Sequence, residues 1–338
     1  MALIAFDARK AGVKMPHGSG VYVRRLLDEL RRRPPDGHEL WVLQDGGRGP
    51  EVWWEQAVLP RRLRARRAAL VHGPDSFLPL ARGCPGVLTV HDLAFLAMRE
   101  DMPGATGWKY RTLVPRAARS AERVICPSRF TAEDVGRRCG VASERIRVIP
   151  EAPALPVGPE QPPEGPYLLS VGDLRPKKNL PLVIDAYRML RAKGLPHRLI
   201  VAGADLGLGA RLARRAGGEP LELAGYVSDA RLDALMRGAD ALILASLYEG
   251  FGLAVLDAMA RGCPTILARA GALPETGGDA AAYFDPASAE ELAAAIERVA
   301  QDPDERARLA EAGRRRAAGF TWARTAAATV AVYEELLG

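Results

Sequence analysis

The sequence predicts an α/β protein of two domains, each built on a doubly wound, Rossmann-like parallel sheet. Three observations predict this fold class. At 338 residues, the chain is longer than the ~250–300 residues at which a single hydrophobic core stops growing. Short, β-rich apolar runs alternate with segments of helical periodicity. A proline-rich stretch from Pro150 to Pro166 reads as a stiff linker and divides these runs into two groups.

The apolar runs predict eleven strands. In the first half they are Ala2–Phe6, Leu40–Leu43, Leu70–His72, Val87–Val90, Arg123–Cys126 and Arg147–Ile149. In the second half they are Tyr167–Val171, Arg198–Ala202, Leu221–Leu223, Ala241–Leu244 and Thr265–Leu267. Because the runs are almost continuously apolar, each sheet is expected to be covered by helices on both faces.

Helices are predicted between these strands. One begins near Val21, and Ser128 and Asp229 are predicted N-caps of two others. From Glu290 onward the chain is predicted to be helical, with breaks at Pro303 and at residues 319–321. We therefore expect an N-terminal domain over residues 1–158, a C-terminal domain over 159–320, and a final helix over 321–338 that returns to the N-terminal domain. Ligands of such sheets bind beyond the carboxyl ends of the strands, so a cleft between the two domains is expected to hold the chemistry.

Composition argues against several classes of protein. Apolar residues make up 48% and charged residues 26% of the chain, as is ordinary for a soluble globular protein. No apolar run is long enough to span a bilayer, and the first residues lack the basic start of a signal peptide. Four cysteines without a C-x-x-C pair argue against a disulfide framework or a zinc site. These features predict a cytoplasmic protein.

The net charge of +6 is unevenly distributed, because residues 1–150 carry +10 and the remainder carries −4. Much of this excess lies in one short helical stretch that contains Arg61, Arg62, Arg64, Arg66 and Arg67. The favoured interpretation is that this stretch forms a basic face in contact with solvent. The alternative is that it contacts the inner face of an anionic membrane. No recognition motif for nucleic acid is present, so nucleic acid is not an expected partner.

The most informative segment runs from Ala245 to Pro264. Glu249 precedes Gly250, Phe251 and Gly252 in a loop after a strand, and a helix starts near Leu253. Glycines allow close backbone approach, and the N–H groups at a helix start suit an anionic phosphate. Asp257 follows in the second turn of this helix, eight positions after Glu249.

This segment resembles the signature of the retaining glycosyltransferases with the GT-B fold, a family that includes glycogen synthases and bacterial mannosyltransferases. The resemblance extends over essentially the whole chain. It implies that Glu249 binds hydroxyls of the donor sugar and that Asp257 binds the nucleotide ribose. It also places Gly250, Phe251, Gly252 and Leu253 at the donor. The family usually has Glu at the position of Asp257, so the side chain here is shorter by one methylene and would reach the ribose directly or through water.

A second element follows the strand Tyr167–Val171 and contains Arg175, Lys177 and Lys178. Clustered cations after a strand suit a diphosphate and would neutralise charge on a leaving group. By resemblance Lys178, and after it Arg175, grips the phosphates of the donor, although Asp173 stands where the family has arginine.

Five further residues are assigned to the donor site. His17-Gly18-Ser19-Gly20 resembles the family's first glycine-rich loop, in which Gly18 and Gly20 approach the diphosphate. His91 ends a strand and by resemblance faces the donor sugar near the reacting carbon. Gly203 and Tyr226 are expected to form walls of the base site. No D-x-D motif follows an apolar strand, so neither a metal nor another cofactor is expected.

The resemblance implies a metal-independent, retaining hexosyltransferase whose catalytic residues are His91, Lys178 and Glu249. The donor would be a nucleotide-diphosphate sugar, GDP-mannose first and a UDP-hexose second. The acceptor would be a glycan, a lipid-linked glycan or a small molecule in the biosynthesis of surface polysaccharides or glycoconjugates. Two alternatives stay open: a nucleotide-sugar epimerase or hydrolase of the same fold, and a non-catalytic subunit that binds sugar nucleotides.

Overall fold

The computed structural model describes residues 1–12, 18–45 and 50–338, and it divides into two compact units. The first consists of Met1–Ala152 and Thr321–Gly338, and the second of Pro153–Phe320. The boundary thus lies before Pro153, whereas the sequence analysis placed it after Gly158. The physical reason is that the backbone amides of residues 154, 155 and 158 donate to side chains of the second unit.

The first unit contains a six-stranded parallel sheet in the order β2-β1-β3-β4-β5-β6. Its strands are β1 (Ala2–Asp7), β2 (His38–Leu43), β3 (Leu70–Gly73), β4 (Gly86–Thr89), β5 (Arg123–Cys126) and β6 (Ile146–Val148). All six correspond to strands predicted from the sequence. The strand order changes direction between β1 and β3, so the chain leaves these two strands toward opposite sides of the sheet.

Six helices of the first unit precede its last strand. They are α1 (Gly18–Arg32), α2 (Glu51–Trp53), α3 (Leu59–Ala65), α4 (Ala94–Ala97), α5 (Gly104–Ser120) and α6 (Arg129–Cys139). A single π-helical segment, Trp54–Val58, joins α2 to α3. The predicted N-cap Ser128 is confirmed, because its hydroxyl accepts a hydrogen bond from the Thr131 amide at 3.0 Å.

The second unit contains another six-stranded parallel sheet, in the order β12-β11-β10-β7-β8-β9. Its strands are β7 (Tyr167–Val171), β8 (Arg198–Ala202), β9 (Leu221–Gly225), β10 (Ala241–Leu244), β11 (Thr265–Ala268) and β12 (Ala282–Phe284). The sequence analysis missed β12, the strand at one edge of this sheet. The strand order changes direction between β7 and β10.

Seven helices cover this second sheet. They are α7 (Leu180–Ala192), α8 (Gly209–Ala216), α9 (Asp229–Gly238), α10 (Leu253–Ala260), α11 (Leu273–Gly277), α12 (Ala289–Gln301) and α13 (Pro303–Ala318). The prediction of Asp229 as an N-cap is wrong. Ser228 caps α9 by accepting from the Arg231 amide at 3.1 Å, and Asp229 is the first helical residue.

The last helix, α14 (Trp322–Leu337), belongs to the first unit. Tyr333 is fully buried there, and its hydroxyl lies 2.6 Å from Nδ1 of His72. All four cysteines are free thiols. In the part of the chain that the structure describes, no helix combines the length and the apolar character that crossing a membrane requires.

Candidate functional site

The candidate site of the second unit forms where β7 and β10 lie side by side. The loop after β7 contains Arg175, Lys177 and Lys178, and the loop after β10 contains Ser246 and Glu249. The two loops are joined by a hydrogen bond from the Leu247 amide to the Lys177 carbonyl, at 2.8 Å. Open α/β sheets bind ligands at such points, because the loops of adjacent strands separate and leave a crevice.

Lys178 and Glu249 form an ion pair at this point. Nζ of Lys178 lies 2.5 Å from Oε1 of Glu249, and the Ser246 hydroxyl donates to the same oxygen at 2.9 Å. The Lys178 side chain is 17% exposed and that of Glu249 is 13% exposed. An ammonium and a carboxylate, both reachable from solvent, therefore share one small surface.

The charges of the pair shift the pKa of Glu249. Burial acts to raise this pKa, but the ammonium groups of Lys178 and Lys177 and the hydrogen bonds from Lys178 and Ser246 lower it more. The net effect holds the pKa of Glu249 below its ordinary value. Glu249 is therefore ionised at neutral pH and can accept hydrogen bonds from hydroxyl groups.

Two glycines shape the loops around the pair. Gly172 ends β7 with a φ of 133°, and a side-chain carbon there would lie 2.5 Å from Cε of Lys178. Gly252 is the N-cap of α10 with a φ of 99° and contributes no side-chain cap to this helix. The positive end of the α10 dipole thus lies in the same loop as Glu249, which suits a negatively charged group.

Among the other residues predicted for phosphate and base, Arg175 is half-buried, with Nε 3.9 Å from the Asp173 carboxylate. Asp173, which replaces the arginine of the family pattern, accepts a hydrogen bond from the Ala204 amide at 3.2 Å. Gly203 follows β8 and donates to the Gly225 carbonyl at 2.8 Å. Tyr226 follows β9 and is 42% exposed. These residues lie at the carboxyl ends of β7, β8 and β9.

The glycine-rich loop before α10 is mostly buried. Gly250 is buried, and Leu253, the first residue of α10, is half-buried. The Phe251 side chain is only 6% exposed and packs into the core of the second unit, with its ring centroid 6.2 Å from that of Phe320. The Thr276 hydroxyl donates to the Phe251 carbonyl. The predicted contact of Phe251 with the nucleotide-sugar donor would therefore have to come from the backbone of Phe251.

Asp257 has an additional structural role. Its Oδ1 accepts from the Ala154 amide at 2.7 Å and from the Leu155 amide at 2.9 Å. The residue is 7% exposed. Arg261, one turn later, donates to the Leu155 carbonyl at 2.8 Å. Asp257 thus anchors the beginning of the second unit on α10, and its predicted contact with ribose stays a prediction.

His91 lies after β4 in the first unit, and both of its ring nitrogens face acceptors. Nδ1 is 3.0 Å from Oε1 of Glu151, and Nε2 is 2.8 Å from the carbonyl oxygen of Pro74. The Pro74 carbonyl can only accept, so Nε2 carries a proton, and the Glu151 carboxylate can accept a proton on Nδ1. Burial acts to lower the pKa of His91, but Glu151, Asp75 and the Pro74 carbonyl raise it more. These groups therefore favour the cationic form of His91.

The expected glycine-rich loop at residues 17–20 is partly helical. Gly18 and Gly20 lie in the first turn of α1, which begins at Gly18 rather than near Val21. A side-chain carbon at Gly18 would meet no atom of the described residues within 4 Å. His17 lies outside the described residues.

Sequence reasoning missed two hydrogen-bonding residues of these sites. Ser246 is fully buried and supplies the second hydrogen bond to Glu249, and Glu151 pairs with His91. Each follows a strand closely, so its position at a strand end was the available signal. Within residues 1–12, 18–45 and 50–338, no three His, Cys, Asp or Glu side chains are grouped as metal ligands.

The arginine-rich stretch is part of α3 and the turn after it. Leu63, within this stretch, and Leu70, just after it, are buried in the first unit. The guanidinium groups of Arg62 and Arg66 lie 5.7 and 4.8 Å from the ring centroid of Trp41. The apolar side chains of this stretch are therefore used for packing, and exposed arginines form its surface.

Each unit contains a six-stranded parallel sheet, and the Lys178–Glu249 pair lies where the strand order of the second sheet changes direction. The comparisons with known proteins agree with this architecture. Residues 44–152 match the family model described as Glycosyltransferase Family 4, and residues 155–316 match the one described as Glycosyl transferases group 1. The chain belongs to this glycosyltransferase family and has the GT-B fold.

Curated relatives and solved structures agree with this assignment. The chain is 31% identical to the MMP alpha-(1->4)-mannosyltransferase of Mycolicibacterium hassiacum, over 75% of this chain and 66% of the relative. It is 29% identical to the O-antigen chain mannosyltransferase B of Escherichia coli, over 82% of this chain and 78% of the relative. Anabaena HepE, solved with UDP and glucose, superposes with a TM-score of 0.73 at 18% identity over 99% of this chain and 100% of that one. Of these relatives, the Mycolicibacterium protein is matched over about two thirds of its own length.

Proposed function

We propose that this chain transfers a hexose from a nucleotide-diphosphate sugar to a hydroxyl acceptor, with retention of the anomeric configuration. The observation that carries the proposal is the Lys178–Glu249 pair, 2.5 Å apart beside the N-terminus of α10. A cation next to a helix N-terminus suits the diphosphate, and the adjacent carboxylate suits the sugar hydroxyls.

In the proposed reaction, the bond between the anomeric carbon and the diphosphate oxygen breaks, and a bond from the acceptor oxygen forms on the same face. The leaving phosphate takes the proton of the acceptor hydroxyl. Lys178 and the amide of Gly252 stabilise the negative charge on the leaving group, and they take the place of a metal ion. Glu249 is paired with Lys178 and Asp257 binds two backbone amides, so neither is arranged as the nucleophile of a double displacement.

GDP-mannose is the first candidate donor. The names of the two curated relatives support mannose as the sugar, and a third relative, from Mycobacterium tuberculosis, is named as GDP-mannose-dependent. Glucose from UDP-glucose is the second, supported by the ligands of the Anabaena structure. The candidate acceptors are the three predicted from the sequence: a glycan, a lipid-linked glycan or a small molecule. The exposed Arg61, Arg64, Arg66 and Arg67 are the candidate surface for an anionic membrane, which sedimentation with phosphatidylglycerol vesicles would test.

A thermal-shift panel of GDP-, UDP-, ADP- and dTDP-sugars tests the donor, because a ligand that binds only the folded state raises the melting temperature. We expect the sugars of one nucleotide base to raise the melting temperature most. This increase should persist in EDTA, which removes divalent metal ions, and should be smaller for Lys178→Ala. Incubation of that donor with and without mannoside or glucoside acceptors then tests transfer. Turnover that needs no acceptor would instead identify an epimerase or hydrolase, and binding without any turnover would identify a non-catalytic subunit.

A further inference from the structure

A chain of buried hydrogen bonds leaves α14, crosses the sheet of the first unit and returns to α14. It consists of four hydroxyl groups and one imidazole, which belong to Tyr333 and Thr329 of α14, His72 of β3, Thr89 of β4 and Tyr22 of α1. Each of these side chains is at most 1% exposed. A buried polar network whose members are all hydrogen-bonded holds its side chains in one arrangement.

The end of the chain at Thr329 sets the direction of the hydrogen bonds. The Thr329 hydroxyl donates its proton to the carbonyl of Thr325 at 2.8 Å, so it accepts from the Tyr22 hydroxyl. A hydroxyl group has only one proton to donate. Since that of Tyr22 points to Thr329, the Tyr22 oxygen accepts from the Thr89 hydroxyl, 3.4 Å away.

His72 continues this direction back to α14. Its Nε2 lies 2.9 Å from the Thr89 hydroxyl, and its Nδ1 lies 2.6 Å from the hydroxyl of Tyr333. Burial lowers the pKa of His72 to about 3, so the imidazole is neutral at neutral pH and carries one proton. The Thr89 proton is already used toward Tyr22, so His72 carries its proton on Nε2, and Nδ1 accepts from Tyr333.

The ring of Tyr22 packs directly on His91. The two ring centroids are 4.7 Å apart, and the ring planes meet at 76°. Such edge-to-face contacts restrict the orientation of both rings. The nitrogens of His91 face Glu151 and the Pro74 carbonyl, so the imidazole is held at both nitrogens and by the Tyr22 ring.

Helix α14 also holds the segment that carries Glu151. The Thr325 hydroxyl donates to the carbonyl of Pro150, which at 2.8 Å is the nearer of its two acceptors. Pro150 directly precedes Glu151, which is 5% exposed. The same helix therefore fixes two groups that contact His91, although neither group belongs to the helix.

We propose that Tyr22 is a positioning residue for His91 and that α14 sets this position through the hydrogen-bond chain. An effect on sugar transfer rests on the function proposed above, which assigns His91 to the donor, whereas the orientation of the ring does not. Tyr22 acts on the reaction through His91 only.

NMR relaxation of the histidine ring signals tests the orientation without any substrate. Tyr333→Phe removes the donor to His72 and leaves both rings of the Tyr22–His91 contact unchanged. We expect the His91 ring to become less ordered in this variant and in Tyr22→Leu. The nitrogen chemical shifts of the unmodified protein should place the His72 proton on Nε2. The control is Tyr187→Phe, which removes the hydroxyl of another fully buried tyrosine that donates to backbone carbonyls of the second unit.

The kinetics of sugar transfer test the consequence for the reaction. A misplaced imidazole should lower kcat and leave the KM of the donor largely unchanged, with a loss of up to about 10²-fold in Tyr22→Leu. Tyr22→Phe keeps the ring and loses the hydroxyl, so it should recover part of this loss. Tyr187→Phe should transfer sugar as the unmodified protein does.

Several outcomes would overturn the proposal. They are an unchanged order of the His91 ring in both folded variants, an equal loss of order in the control, a His72 proton on Nδ1, or a raised donor KM at unchanged kcat. The melting temperature establishes that each variant is folded, and Thr329→Val, which removes the last acceptor of the chain, replaces a variant that is not. If the unmodified protein transfers no sugar while the His91 ring responds as expected, the proposed function fails and the positioning stands.

Discussion

Lys178 and Glu249 are 71 positions apart, yet the lysine Nζ lies 2.5 Å from the glutamate Oε1. They meet because β7 and β10 are neighbours in the sheet although two strands separate them along the chain. Each residue follows its strand by a few positions, so the parallel pairing brings both to the same edge. The same pairing places the start of α10 beside them.

Lys178→Ala should reduce sugar transfer by about 10²–10³-fold, the effect expected when one group that stabilises a developing charge is removed. The measurement is product formation under saturating donor. Lys193→Ala is a suitable control, because Lys193 lies on the surface of the same unit and pairs only with Glu297 at 3.3 Å among the described residues. Transfer at an unchanged rate would remove Lys178 from the mechanism.

Glu249→Ala should abolish transfer and leave binding of the bare nucleotide largely intact, because the carboxylate is assigned to sugar hydroxyls. Calorimetric titration with GDP and UDP measures the second quantity. Glu311→Ala, at an exposed position on α13, serves as the comparison. Normal transfer by the Glu249 variant, or loss of nucleotide binding with transfer intact, would contradict the assignment.

The stability that Glu249 contributes should depend on pH. Its folded-state pKa is lowered from 4.5, so the contribution is present above pH 4.5 and is lost as the pH falls through the folded pKa. Urea denaturation of the unmodified protein and of Glu249→Gln at several pH values between about 3 and 7 measures this contribution. The two midpoints should converge toward the acid end, and a constant difference would contradict the ion pair.

Glu151→Gln should lower the pKa of His91, because it removes the carboxylate 3.0 Å from Nδ1. The other groups around this imidazole are Asp75, which also acts to raise the pKa of His91, and His72, whose pKa burial lowers to about 3. NMR titration of the histidine ring signals measures the shift, with the exposed Glu144→Gln as the control. An unchanged titration of His91 would show that Glu151 does not hold its proton.

The Glu151–His91 pair should also make the stability of the protein depend on pH. The folded-state pKa of His91 is raised above 6.5, so its contribution is complete below pH 6.5 and is lost as the pH rises through the folded pKa. The difference in denaturation midpoint between the unmodified protein and Glu151→Gln should therefore shrink toward alkaline pH. A difference that grows with pH would have the wrong sign for this pair.

Asp257→Ala should destabilise the start of the second unit by about 2–4 kcal/mol, because two buried amides lose their acceptor. Hydrogen exchange at Ala154 and Leu155 is the direct measurement and should accelerate. Asp257→Asn keeps an acceptor oxygen and should be affected less, and the exposed Glu334→Ala should exchange as the unmodified protein does. Unchanged protection at both amides would mean that the carboxylate does not hold them.

The sequence by itself determined most of the fold and the membership in the family. Eleven of the twelve strands were predictable, because a strand buried on both faces must be an apolar run. The glutamate–glycine–phenylalanine–glycine segment before α10 identified the family, because its spacing is local along the chain. By contrast, β12 and the first turn of α1 were missed, since neither shows a pattern of its own.

The tertiary structure alone decided which side chains meet. That Lys178 meets Glu249, that Glu151 pairs with His91, and that Asp257 accepts from Ala154 and Leu155 all depend on contacts between residues far apart in the chain. Strand order arises from packing between elements far apart in the chain, and no local periodicity records it.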